Sequence, residues 1–202
     1  MPNRPRCLPA EGCQVPAPQR RLTRAPQRRL ALCAAAVLLA AASLPAAAHG
    51  PTRQKVVETI QINAPADAVW ARIKNFEALK DWHPAVATSP ATQGNTVGSV
   101  RNITLKGGGE LTETLETYND AQRKYSYRLK DGGALPVTNY TSTITVTPDG
   151  DAKSTVEWRG AFYRGYPNND PPPDKNDEAA VAAVTGVYKA GLQNLKQLAE
   201  QK

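Results

Sequence analysis

Cysteine is scarce in this 202-residue chain: three occur, Cys7, Cys13 and Cys33, and none follows position 33. Everything downstream is therefore free of disulfides, thiol chemistry and cysteine-based zinc sites. Histidine is scarcer still, with only His49 and His83. No apolar run reaches the ~20 residues of a membrane-spanning helix. The longest, residues 30–44, has 15. No internal repeat is visible, which excludes solenoids and propellers.

Lysine is absent from residues 1–29, a stretch that holds seven arginines, one acid (Glu11) and six prolines. The 15-residue apolar run follows, then Ala46-Ala47-Ala48. A basic region, a short apolar core and small residues at the cleavage positions spell a secretory signal. The expected organisation is a signal peptide over 1–48, cut after Ala48, and a single domain over 49–202. Arg20-Arg21 and Arg28-Arg29 leave twin-arginine export open beside the general route, and an uncleaved anchor is the alternative to cleavage. The leader takes seven of the 25 Lys+Arg and one of the 18 Asp+Glu, leaving 18 against 17. The sequence pI of about 9.4 thus belongs to the leader, and a nucleic-acid role loses its electrostatic support. Localisation is expected to be periplasmic, with no membrane attachment once the leader is gone.

After the leader, Val56 to Ile62 alternates as a strand. Pro65 and Asp67 open a helix whose stripe is Val69, Trp70, Ile73 and Phe76. Trp82-His83-Pro84 closes a second short helix. Turn signals then recur at 92–95, 107–109, 119–120, 131–133 and 148–150, between runs rich in Val, Ile, Thr and Tyr. They predict an antiparallel meander with strands near 86–92, 98–106, 110–118, 124–130, 138–147 and 153–164. With the first strand this makes seven. Residues 167–177 hold four prolines and form a stiff acidic loop. Asp174 or Asn176 caps a last helix whose apolar face carries Val181, Val184, Val187, Tyr188, Gly191, Leu192, Leu195 and Leu198. The fold class is α+β: a curved seven-stranded sheet covered by one long helix.

Within this frame the polar candidates are few. If the 107–109 hairpin turns about Gly108, Arg101 faces Leu115, Ile103 faces Glu113 and Leu105 faces Leu111. All six share the buried face, with Arg101 and Glu113 as diagonal neighbours. Such a pair can fix the hairpin, line a pocket, or polarise a carbonyl and move a proton. Tyr127, Tyr140, Trp158, Phe162 and Tyr188 fall on inward stripes, as core or as pocket walls with polar handles. The expected ligand-binding set is Arg101, Ile103, Glu113, Leu115, Tyr127, Tyr140, Trp158, Phe162 and Tyr188. His83 is a base or a packing residue. His49, N-terminal after cleavage, could join His83 on copper. No other metal-ligand cluster exists, and no cofactor is expected. For a protein partner the candidates are Tyr163, Arg164, Tyr166, Asp170 and Asp174, on or beside the stiff loop.

Several pieces together resemble a known superfamily. They are Ala64-Pro65 with Val69-Trp70, Phe76 with Trp82-His83-Pro84, and Gly98-Ser99-Val100-Arg101. Glu113 with Leu115, Tyr125-Ser126-Tyr127, Val156-Glu157-Trp158 and the terminal helix complete the set. The chain is similar over about 56–199 to the START-like helix-grip domains, also called SRPBCC or polyketide-cyclase-like. That resemblance implies two short helices after the first strand and a long C-terminal helix across the sheet. Three further segments, 49–52, 162–172 and 187–192, look like the MxaD-type periplasmic accessory proteins of bacterial methanol oxidation. This implies an exported binding protein assisting a periplasmic methanol (alcohol) dehydrogenase and its c-type cytochrome, with an apolar pocket for a small ligand. A cyclase- or dehydratase-like enzyme using Arg101 and Glu113, and a carrier of a small apolar ligand, are the alternatives. The reading leans away from catalysis.

Overall fold

The structure is a computed structural model and describes residues 50–130 and 133–201. The leader 1–48, its cleavage point and His49 lie outside the described residues. Strand β1 (Gln54–Ile62) leads into helix α1 (Ala66–Ile73), a 3₁₀ turn (Phe76–Ala78) and the one-turn helix α2 (Leu79–Trp82). Six strands follow: β2 (Val86–Thr88), β3 (Val100–Leu105), β4 (Glu110–Asn119), β5 (Lys124–Leu129), β6 (Val137–Pro148) and β7 (Ser154–Arg164). Helix α3 (Asp177–Glu200) ends the fold. All strands join one antiparallel sheet in the order β1-β7-β6-β5-β4-β3-β2. This is the helix-grip architecture, with seven strands, short helices after the first and a long helix last.

Local chemistry explains the boundaries. α1 starts directly after Pro65, whose carbonyl accepts from Ala68 and Val69 N–H, with Asp67 in its first turn. α3 is capped by Asn176, whose Oδ1 accepts from Ala179 N–H at 2.8 Å. At ~1.5 Å per residue its 24 residues span about 36 Å. One face of α3 buries Ala180, Val184, Tyr188, Gly191, Leu192 and Leu195, where 3.6-residue periodicity puts them. The sheet contributes Ile103, Leu115, Tyr127, Ile144, Val156, Trp158 and Phe162 to the same core. α1 and the turns after it add Trp70, Ile73, Phe76, Leu79 and Trp82.

Two expectations need correction. The strand expected over 86–92 shrinks to Val86–Thr88, with one isolated bridge from Ala91 to Arg101. Pro90 between them has no N–H to give a ladder. The β3–β4 register also differs from the one expected: Arg101 pairs directly with Glu113, and Ile103 with Leu111. The hairpin is centred on Gly107, because Gly108 and Gly109 both take positive φ, 91° and 92°, which glycine tolerates and other residues do not. The strands slide by two residues relative to the symmetric guess, so every side chain keeps its face.

Candidate functional site

Arg101 sits at the centre of the interior and is 1% exposed. β3 aims it inward and β4 brings Glu113, 5% exposed, directly opposite. Its Nε donates to Glu113 Oε2 at 3.1 Å, and its Nη2 donates to the same oxygen. Its Nη1 donates to the Phe76 carbonyl at 2.5 Å. The guanidinium carbon lies 4.0 Å from the Phe76 ring centre on one side and 5.3 Å from that of Tyr127 on another. Burial works against the charge, but Glu113 outweighs it and holds the Arg101 pKa above its ordinary value. Here is a permanent cation, each of its three nitrogens donating a hydrogen bond, in an otherwise apolar and phenolic space.

Next to it runs a network of phenols and an indole. Trp158 Nε1 donates to Ser142 Oγ at 2.9 Å and to Tyr127 Oη at 3.0 Å. Ser142 donates on to the Arg159 carbonyl at 3.0 Å and lies 2.8 Å from Tyr188 Oη, which is 2.7 Å from Tyr140 Oη. Trp158 and Tyr188 stack with centroids 4.4 Å apart and planes 14° apart. Burial pushes the Tyr125 pKa up to about 12 and those of Tyr127, Tyr140 and Tyr188 up too, so all four remain neutral hydrogen-bonding groups. A bulge in β6 between Thr138 and Thr141, with Asn139 at φ 49°, puts both Val137 and Tyr140 on the buried face.

The structure thus gathers Arg101, Glu113, Tyr127, Tyr140, Trp158 and Tyr188 into one interior. Ile103, Leu115 and Phe162 are buried in the same core. Sequence reasoning missed Ser142 and Gly160. Both lie on inward phases, with Tyr140 and Ile144 on β6 and with Trp158 and Phe162 on β7, so the signal was present. A Cβ on Gly160 would stand 2.2 Å from Tyr188 Oη; the glycine makes room for that hydroxyl. Phe76 was placed in the core, but its carbonyl on Arg101 was not foreseen.

His83 is 4% exposed. Its Nε2 lies 3.0 Å from the Val187 carbonyl, and its Nδ1 accepts from Ala85 N–H at 3.3 Å. A carbonyl can only accept, so the proton sits on Nε2 and the ring is neutral. Burial lowers its pKa, the Val187 bond partly opposing this. The ring ties the end of α2 to α3, the packing role rather than the basic one. Both its nitrogens are engaged, and its suggested copper partner, His49, lies outside the described residues. Among the described residues no cluster of three His, Cys, Asp or Glu could hold a metal.

The loop after β7 is organised by Arg164. Expected to face a partner, Arg164 is instead 4% exposed. Its Nε and Nη2 donate to the carbonyls of Tyr166 and Asn168, both at 2.9 Å, and its Nη1 to Asp177 Oδ2 at 3.2 Å. Tyr163 and Tyr166 are half-buried, while Asp170 and Asp174 are exposed. Two clefts open among the described residues. One of about 520 Å³ opens between Thr52 and Gln54 and the first turns of α3. The other, about 510 Å³, runs along Asn75, Glu77, Lys80, Asp81, Thr88 and Ser89.

A family model described as polyketide cyclase/dehydrase and lipid transport matches residues 53–200. An uncharacterized protein from Bacillus thuringiensis shares 32% identity and a TM-score of 0.63, over 73% of this chain and 100% of that one. The protein XoxI from Bacillus cereus shares 33% identity and a TM-score of 0.61, over 72% of this chain and 94% of that one. The abscisic acid receptor PYL2 of Arabidopsis thaliana is 34% identical over 100 residues, 48% of this chain and 52% of its own. The chain therefore spans about half the length of that curated relative.

Proposed function

We infer function from one premise: the chain belongs to the polyketide cyclase/dehydrase and lipid transport family, whose model covers 53–200. We propose that it binds a small, mostly apolar ligand between the sheet and α3. We further propose that it does so as an exported accessory protein of a periplasmic methanol (alcohol) dehydrogenase and its c-type cytochrome. The observation that carries the binding reading is the Arg101–Glu113 pair inside a phenolic interior. A core needing only stability is served as well by apolar residues, because desolvating two charges offsets most of their attraction. The accessory role is supported by the loop at 165–176. Arg164 stiffens it from within, and Asp170 and Asp174 are left exposed to meet a basic surface. Reversing both charges (Asp170→Lys with Asp174→Lys) should abolish co-purification with dehydrogenase or cytochrome from a periplasmic extract. Failure of the wild-type protein to capture either one ends the accessory reading.

A second reading is favoured by the direct opposition of Arg101 and Glu113: a cyclase- or dehydratase-like enzyme in which Arg101 polarises a carbonyl and Glu113 moves a proton. Turnover of a carbonyl substrate that persists in Glu113→Gln would remove it. Simple carriage of an apolar ligand is the third, and native mass spectrometry that finds the freshly purified protein empty counts against it.

A further inference from the structure

The segment from Asn75 to Trp82 is fastened in an unusual way for a piece of helix. Its two helical parts have three and four residues, too short to satisfy their own backbone groups. Side chains from elsewhere do so instead. Phe76 N–H donates to Asn95 Oδ1 at 2.8 Å and the Phe76 carbonyl accepts from Arg101. Ser89 Oγ accepts from Lys80 N–H at 3.0 Å and donates to the Glu77 carbonyl at 2.6 Å. Asn194 Nδ2 donates to the Trp82 carbonyl at 2.9 Å. Phe76, Leu79 and Trp82 point inward, while Asn75, Glu77, Lys80 and Asp81 face solvent along the 510 Å³ cleft. The segment therefore has the buried charge beneath it and solvent above.

Phe76 gives Arg101 two things at once, a ring face at 4.0 Å and a carbonyl oxygen at 2.5 Å. An aryl ketone or aryl carboxylate would give the same two. The same segment holds a donor in want of an acceptor, the Trp82 Nε1–H, which is buried with no hydrogen-bond partner among the described residues. We propose that residues 75–82 are the entrance lid of the interior and Arg101 its latch: an aromatic ligand bearing a carbonyl or carboxylate oxygen takes the place of Phe76 on the guanidinium as the lid lifts. This rests on the reading of the interior as a ligand site and names both the ligand class and the way in. Exchange of one acceptor for another keeps Arg101 partnered throughout. Lifting the lid without a ligand would leave a buried guanidinium N–H unpaired, which is costly. The lid thus stays shut to apolar molecules that lack the oxygen.

Three probes of nearly one shape test this: 2-naphthoate, 2-acetonaphthone and 2-ethylnaphthalene, titrated into the full chain by calorimetry, with amide hydrogen exchange read over 75–83. The two oxygen-bearing probes should bind at least about tenfold more tightly than the hydrocarbon, a gap of about 1.4 kcal/mol. They should also speed exchange at Phe76 and Lys80. Ser89→Ala and, independently, Asn95→Ala loosen the lid from outside and should raise the association rate for 2-naphthoate. Equal binding of all three probes with exchange over 75–83 unchanged overturns the latch and leaves interior binding standing. No binding by any of them, to wild type or to either variant, overturns both.

Discussion

Arg101 is a charge the interior accepts only in company. Removing it alone strands Glu113, so Arg101→Ala should cost about 3–5 kcal/mol in urea unfolding. The double change Arg101→Met with Glu113→Leu should recover most of that loss, since an apolar pair of similar size carries no desolvation cost. A double variant as unstable as the single would show that the Phe76 carbonyl and ring, not Glu113, are the main partners. His83 sets a pH dependence. Its pKa is lowered in the fold, so below an unfolded histidine's ~6.5 the unfolded chain takes up a proton that the folded chain refuses. The stability is complete above that value and is lost as pH falls toward the folded pKa. Thermal melts from about pH 7.5 to about 5.5 should show a falling Tm, and His83→Gln should flatten that slope. At this scale the sequence shows which face a side chain takes, because alternation is enforced by the pleat. It does not show register, because three successive glycines, 107–109, leave open which of them take positive φ. Ser142 went unnoticed for a different reason: serine carries no apolar signal, and its importance comes from Trp158 and Tyr188 arriving from other elements.

β7 and α3 meet through a fit that neither element reveals alone. Gly160 on the strand and Tyr188 on the helix share one space, with the missing methyl 2.2 Å from the phenol oxygen. Gly160→Ala should destabilise by about 1–3 kcal/mol through overpacking. Adding Tyr188→Phe should restore part of it, although Tyr188→Phe alone loses the bonds to Ser142 and Tyr140. A double-mutant cycle that is additive would refute the shared-space account. Element existence was legible: seven strands and the helices are where apolar periodicity put them. Lengths failed where backbone chemistry intervened, at Pro90, which cuts β2 short, and at Asn139, whose bulge lets Val137 join the buried face. The acidic loop was legible as a loop, but not that Arg164 would turn inward and become its spine.

For the molecule as a whole, a ligand that fits between sheet and helix must stabilise it by linkage. At a free concentration one hundred times its Kd it should add about 2.7 kcal/mol to the free energy of unfolding, visible as a rise in Tm that grows with ligand concentration. A compound that binds without raising Tm has comparable affinity for the unfolded chain. The general family was legible from the order of short motifs, since that order reflects the topology; the ligand was not, because an ion pair among phenols suits many molecules with an oxygen. Sheet order carries one more consequence. β1 has β7 as its sheet neighbour, pairing from Gln54 with Phe162 to Ile62 with Ser154. At the end of β1, Glu200 Oε1 accepts from Asn63 N–H at 2.7 Å and Lys196 Nζ donates to the Gln61 carbonyl at 2.9 Å. The first strand of the fold is completed by its last strand and last helix. The sheet cannot close over β1 before β7 and α3 have been synthesised, and until then that strand offers unpaired backbone groups to other chains.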